Sequence, residues 1–234
     1  MATEPAPANL SPTAILDYQQ PAVAALISRV GESHPSPADY VRLAHGTLGR
    51  MSAVYSIDDT RPASQTIELN QGSCAQRMAC LETLARGNGI ATRVRALWLV
   101  RAFWFSRLPL LKSALPARTL MPWPQFYIDG RWVDFDEIYG PMVQIAEHAA
   151  YDHPFTNAGE SLFDAVRHTP VDFFGKLKGT PFARYDLSAF VAEDGGFFDT
   201  RDELMQVPGA QSSKIGKLIF DVLYGGRPIR RQPD

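Results

Sequence analysis

The segment Cys74–Arg86 constrains this chain more than any other. It reads as one helix, entered through Gln71-Gly72-Ser73 and stopped by Gly87-Asn88-Gly89. Helical spacing puts Cys74, Met78, Leu81 and Ala85 on one stripe, with Glu82 and Arg86 off it. An extended segment, Ile90–Val100, follows at once. There Val94, Ala96, Trp98 and Val100 alternate with Arg95, Leu97 and Leu99, the pattern of a strand. The first residue of the helix is a cysteine. Unpaired N–H groups and the positive end of the helix dipole favour a thiolate at that position, and the small-residue turn before it leaves the thiol within reach. The competing reading is a small buried hydrophobe. Cys80 lies on another face of the same helix and reads as packing, which also argues against a Cys74–Cys80 disulfide.

The second firm element is a hairpin. Asp129-Gly130 is a two-residue turn between two aromatic-rich strands. Period-two alternation places Met121, Trp123, Gln125 and Tyr127 on one face of the first strand, and Trp132, Asp134 and Asp136 on one face of the second. Pro124 makes the first strand an edge or marks where regular pairing begins. Between the two firm elements lies Ala102-Phe103-Trp104-Phe105-Ser106-Arg107-Leu108-Pro109-Leu110-Leu111, an aromatic cluster broken by Arg and Pro. It reads as core cover, as an apolar substrate wall or as a partner surface.

Around this centre, Ala22–Val30 and a second helix behind Ser36-Pro37-Ala38-Asp39 form a helical lead-in, the latter with Tyr40, Leu43, Ala44 and Leu48 on one stripe. His45 in that helix reads as packed or solvent-facing rather than as a base. Met51–Leu69 reads as loop or weak strand, with Asp58-Asp59 as turn material. Further on, Ile145–Tyr151 and Ser161–His168 read as short helices, Phe173–Leu177 as loop or strand, and Asp194-Gly195-Gly196 as a turn. Ser213–Tyr224 is an amphipathic helix expected to turn Ile215, Leu218, Ile219, Val222 and Leu223 inward. The whole is an α+β domain over residues 16–226, between a mobile tail at 1–15 and a basic tail at 227–234.

Composition excludes several classes. A net charge of −2 gives no reason to expect nucleic acid or an anionic membrane as partner. Two cysteines make no disulfide framework. No run reaches the length of a membrane span, and Met1–Ala14 lacks the features of a signal peptide, so a cytoplasmic protein is expected. No phosphate-binding glycine loop and no metal-ligand spacing is present, and no cofactor is expected.

Gly72-Ser73-Cys74, its helix and Gly89-Ile90-Ala91-Thr92-Arg93 resemble the nucleophile segment of the transglutaminase-like superfamily. There a Gly-x-Cys opens a helix and a Gly-Ile-Pro-Ala-Arg turn leads into the first strand; Ala91-Thr92 stand here where Pro-Ala is usual. The lead-in Asp17-Tyr18-x-x-Pro21 with its two helices is similar as well, so the resemblance spans about Leu16 to Asp136. It implies a papain-like arrangement: helical lead-in, nucleophile helix packed on an antiparallel sheet, cysteine chemistry. Aligned on Asp129-Gly130-x-Trp132, the acid of the family's triad falls on Asp136, and its histidine position falls on Met121.

Methionine cannot move a proton, and three readings follow. A histidine from another element, His148, His153 or His168, enters the site, and the protein is a thiol acyltransferase or hydrolase acting through Cys74 on an amide or thioester. Alternatively, Cys74 works with Asp136 or Asp134 alone on a carrier-protein thioester, a biosynthetic off-loading or cyclising reaction whose thiolate leaves readily. In the third, the fold is kept as a binding module without chemistry. The substrate would be a small molecule, a peptide or a carrier-bound acyl group, met by Met121, Trp123, Gln125 and Trp104. If the hairpin alignment is right, Asp136→Asn lowers turnover more than Asp134→Asn in a steady-state assay; the reverse order would mean that the alignment is off by two residues.

Overall fold

The computed structural model describes residues 10–33, 35–149 and 154–229. In chain order its elements are α1 (Pro21–Gly31), α2 (Pro37–Leu48), β1 (Ser52–Ala53), α3 (Ala63–Glu68), β2 (Gln71–Gly72), α4 (Cys74–Gly87), β3 (Thr92–Val100), β4 (Arg118–Ile128), β5 (Arg131–Asp134), α5 (Met142–His148), α6 (Leu162–Ala165), β6 (Val191–Phe198), α7 (Arg201–Leu204) and α8 (Lys214–Leu223). Helix α4 packs between the helical lead-in and an antiparallel sheet of strand order β5-β4-β3-β6.

Helix α4 forms for local reasons. Ser73 caps it by accepting from Gln76 N, and the Gln76 side chain returns to Ser73 N at 3.0 Å, a closed capping box. Gly72 is small because a Cβ there would meet Thr66 Cγ2 at 2.8 Å. Gly87 is small because α1 lies against it: a Cβ would come within 2.3 Å of Ile27 Cδ1. The left-handed backbone that ends the helix belongs to Gly89, at φ 79°.

The expected apolar stripe on α4 understates its burial. Arg77, Glu82 and Thr83 are fully enclosed and Arg86 nearly so. Each buried charge reaches a different element. Arg77 grips Asp164 of α6 at 2.8 Å, Arg201 of α7 meets Glu82 at 2.6 Å, and Arg86 binds Thr92 and the carbonyl of Asp199. These partners are what allow charged residues to enter the core.

The Asp129-Gly130 turn is as expected, both residues at positive φ, which two-residue hairpin turns of this twist require. Strand β5 pairs with β4 only over Gln125–Ile128, so Pro124 sits where that pairing begins, and β4 is interior rather than an edge. Asp136 does not continue β5; the strand ends at Asp134, and Asp136 lies in a 3₁₀ turn over Phe135–Glu137.

Other expectations are corrected. Ala63–Glu68 is helical, capped against Asp17, whose carboxylate accepts from Ser64 N at 2.9 Å. Asp194-Gly195-Gly196 is no turn but the middle of β6, paired with β3 through register shifts. A Cβ at Gly195 would meet Ala96 Cβ at 3.0 Å, so that glycine serves close packing. Ile15 and Leu16 are buried, and the Asp202 carboxylate accepts from Ile15 N at 3.2 Å, so residues 15 and 16 are held against α7; residues 1–9 lie outside the described set. Leu43 is exposed, and Val41 takes its inward place. On α8, Leu218, Ile219 and Val222 face outward, because Phe220 and Tyr224 supply the packed side against Leu108 and Leu111. The mixed helix and antiparallel-sheet architecture is the expected α+β one and is consistent with a transglutaminase-like fold.

The Glu82–Arg201 pair is wholly buried, so removing one partner strands a charge. Arg201→Met is expected to cost about 3–5 kcal/mol in denaturant unfolding. Adding Glu82→Leu to that variant recovers most of the loss.

Candidate active site

Cys74 is the first residue of α4 and is half-buried, whereas Cys80 is sealed in the core. The loop between β1 and α3 is drawn to the helix start by Gln76, whose Nε2 donates to Asp58 O at 2.8 Å and to Ser56 Oγ at 3.1 Å. That loop carries Asp59, also half-buried. The expectation of a stabilised thiolate does not hold in this state. Burial pushes the Cys74 thiol up, and the Asp59 charge adds to it; Arg107, Arg77 and the Ala75 N–H act in the opposite sense and do not overcome the two. The helix terminus is real, but desolvation is the larger effect. Burial likewise raises the Asp59 carboxyl to about 6, with Arg201 opposing and Asp58 adding. Both groups are thus shifted upward, the thiol away from neutrality and the carboxyl toward it.

Asp136 is 2% exposed, and neither of its oxygens has a hydrogen-bond partner among the described residues. Burial pushes this carboxyl well above the ordinary range. The Lys176 ammonium 3.6 Å away opposes, Asp134 and Glu137 add to the rise, and the Trp123 indole N–H lowers it slightly from the margin of hydrogen-bond geometry. Lys176 also lies 2.9 Å from Asp134 and 3.0 Å from Glu137. Burial acts to lower the Lys176 ammonium, but the three carboxylates outweigh it. Sequence reasoning passed over Lys176, in what reads as a plain loop; only the unexplained acidic run Asp134-x-Asp136-Glu137 called for a cation.

The residues expected to meet substrate fare differently. Met121 and Trp123 are at most 2% exposed and belong to the large apolar core cluster against which Cys74 also packs. Gln125 has both ends of its amide engaged, accepting from Arg93 Nε at 2.7 Å and donating to Asp134 at 2.5 Å. Trp104 is half-buried, its Nε1 donating to Thr119 at 2.7 Å. The aromatic stretch is thus partly core: Phe103 packs on Phe155, Phe173 and Phe190.

No imidazole takes the place left by Met121 among the described residues that act most strongly on Cys74. His148 and His168 are exposed on the surface after the hairpin, and His153 lies outside the described residues. His45 is fully buried with both nitrogens occupied, Nε2 donating to Phe163 O at 2.6 Å and Nδ1 facing the Tyr139 hydroxyl at 2.9 Å. Its ring stacks on Phe163 and touches Phe135, the neighbour of Asp136. It supports the acidic turn rather than the thiol.

A cavity of about 630 Å³ lies elsewhere, between residues 12–20 and α3, lined by Asp17, Gln20, Ser64 and Glu68 among others. Among the described residues no His/Cys/Asp/Glu group has the geometry to hold a metal ion, and no helix is long and apolar enough to cross a membrane.

Residues 25–137 match the model of the transglutaminase-like superfamily, a span that includes Cys74, Met121 and Asp136. Comparison with curated proteins and with solved structures finds no significant match.

Burial holds His45 down to about 4. A depressed folded value contributes stability that is complete above the unfolded value near 6.5 and is lost as pH falls through the folded one. Urea unfolding of the wild type is therefore expected to lose about 3 kcal/mol from this group between pH 6.5 and 4. His45→Phe removes that part of the slope. The difference between the two profiles isolates the imidazole from Asp59 and Asp136, whose raised values act in the opposite sense.

Proposed function

Because residues 25–137 match the model of the transglutaminase-like superfamily, we propose that the protein is a thiol acyltransferase or hydrolase acting on an amide or thioester through Cys74. The observation that supports this reading is the half-buried Cys74 on the first turn of an otherwise enclosed helix, with the Asp59 carboxyl acting on it.

Within the class, a thioester is favoured over an amide. An amide nitrogen must be protonated as it leaves, the task of the imidazole that Met121 replaces. A leaving thiolate needs far less help. In the proposed step the Cys74 thiol passes its proton to Asp59 and its sulfur attacks the carbonyl carbon. The carbon–sulfur bond to the donor breaks, and the departing sulfur takes the proton back. Water or an acceptor nucleophile then cleaves the acyl-cysteine and returns the proton to Cys74. The buried Asp136, whose oxygens lack partners among the described residues, serves as the acid of the altered triad, Lys176 balancing its charge. Trp104 borders the acyl group, while Met121, Trp123 and Gln125 support the site from beneath.

A simple acyl thioester such as an S-acyl-N-acetylcysteamine tests this. The expected result is thiol release, with the acyl mass found on the Cys74 peptide by mass spectrometry and absent in Cys74→Ala. Asp59→Asn is expected to slow acylation about 10²–10⁴-fold, the usual range for losing a general acid–base. An intact wild type that never acquires the acyl group returns the chain to the binding-module reading.

A further inference from the structure

Four buried arginines, Arg77, Arg86, Arg107 and Arg201, lie among the described residues, and Arg86 has each of its side-chain nitrogens on a neutral acceptor, the Thr92 hydroxyl and the carbonyls of Ser11, Thr92 and Asp199. Arg77 and Arg201 each have nitrogens without a hydrogen-bond partner, but each also holds a carboxylate, Asp164 and Glu82. Their charge is matched. Arg107 is 7% exposed and has no carboxylate within ion-pair distance among the described residues. Its acceptors are neutral: Nε donates to the Asn157 side-chain oxygen at 3.1 Å, and Nη2 to the main-chain carbonyl of Glu160. The Glu160 carboxyl is not used, and burial raises it to about 7, with Asp164 adding and Arg107 opposing. Nη1 has no partner among the described residues. A guanidinium taken out of water at this cost, with neutral acceptors on two nitrogens and donors left over, is built to receive an anion.

The surroundings hold it for that purpose. Asn157 is buried in the left-handed region at φ 57°, a conformation asparagine tolerates better than most residues. Its Nδ2 donates to Phe103 O at 2.7 Å, and its carbonyl accepts from Ser106 Oγ at 3.1 Å, so it is fastened on both sides of its bond to Arg107. The same segment continues from Glu160 into Ser161 and Asp164, which bind Arg77 at 2.6–3.0 Å. Arg77 lies three residues from Cys74, on the adjacent turn of α4. Two arginines locked to one segment thus stand beside the start of that helix, and Arg107 is the cation acting most strongly on the Cys74 sulfur.

We propose that Arg107 is an anion-binding group of the Cys74 site, and that the acyl donor carries a carboxylate close to its reacting carbonyl. The proposal rests on Cys74 being the acyl-accepting thiol and adds the chemical class of what it accepts. The substrate carboxylate would supply the acceptor that Nη1 lacks and fix the acyl carbon against the sulfur.

Alkylation separates this from a plain role in supporting the thiolate. Iodoacetate and iodoacetamide both place a two-carbon group on sulfur and displace iodide, but only the first is an anion. On wild-type protein, the ratio of the iodoacetate to the iodoacetamide rate constant at Cys74 is expected to exceed that of glutathione by about tenfold or more, the gain from one charge-assisted hydrogen bond. The iodoacetate rate saturates, Arg107→Gln returns the ratio to that of glutathione, and Arg107→Lys keeps part of it. A wild-type ratio equal to that of glutathione overturns the proposal whether or not any variant folds. Equal loss of both rates in Arg107→Gln, with the ratio unchanged, also overturns it, since Arg107 would then serve the sulfur alone. A second measurement does not need the thiol. In Cys74→Ala, propionate and not propionamide raises the melting temperature, and adding Arg107→Gln abolishes the shift; no shift with propionate counts against the anion site. A Cys74 that takes neither alkylating reagent sinks the acyl-transfer reading, while the propionate measurement still decides the anion site.

Discussion

Helix α4 is enclosed along almost its whole length, and Arg77, Glu82 and Arg86 go into the interior with it. Charged side chains in that position are tolerable only when each finds a partner of good geometry. The partners come from α6, from α7, and from β3 together with the loop before α7. The requirement to match three charges on one helix therefore fixes where those other elements lie. Only the two end residues of α4, Cys74 and Gly87, are less than fully enclosed.

Two opposing effects meet at that turn. The helix terminus and two arginines favour a thiolate, while removal of water disfavours it, and the second prevails. The same balance lifts Asp59 and Asp136 above the ordinary carboxylate range. A resting site of neutral thiol and raised carboxyls suits the proposed exchange, in which a proton travels with the sulfur and no free charge is kept in a dry place. It fits, too, with a substrate that brings its own negative charge to Arg107.

Local chemistry made the centre of the fold legible: the capping box at Ser73 and Gln76, the glycines after Arg86, and the Asp129-Gly130 turn depend only on near neighbours. What sequence could not reveal depends on distant ones. Glu82 looks like a solvent-facing residue until Arg201 arrives from α7. Gly195-Gly196 has the composition of a turn, yet the approach of Ala96 makes it a strand. The outward face of α8 has the right periodicity and the wrong direction, because two aromatic residues outweigh three aliphatic ones in the contact with Leu108 and Leu111. Within the site, Cys74 and Asp136 stand out by motif. Asp59, Lys176 and Arg107 lie in loops, where neither period nor motif marks a side chain, though the Arg amid aromatics at 101–111 was a visible oddity.

The family match ends at residue 137, but the fastening of α4 does not. Ser161, Asp164, the Asp199 carbonyl and Arg201 all lie beyond that boundary. A minimal fragment cut at the family border would keep the thiol and the acidic turn yet leave Arg77 and Glu82 with no counter-charge and Arg86 with one acceptor fewer. The matched segment thus draws the counter-charges for its buried helix from the carboxy-terminal half of the chain, which girdles α4.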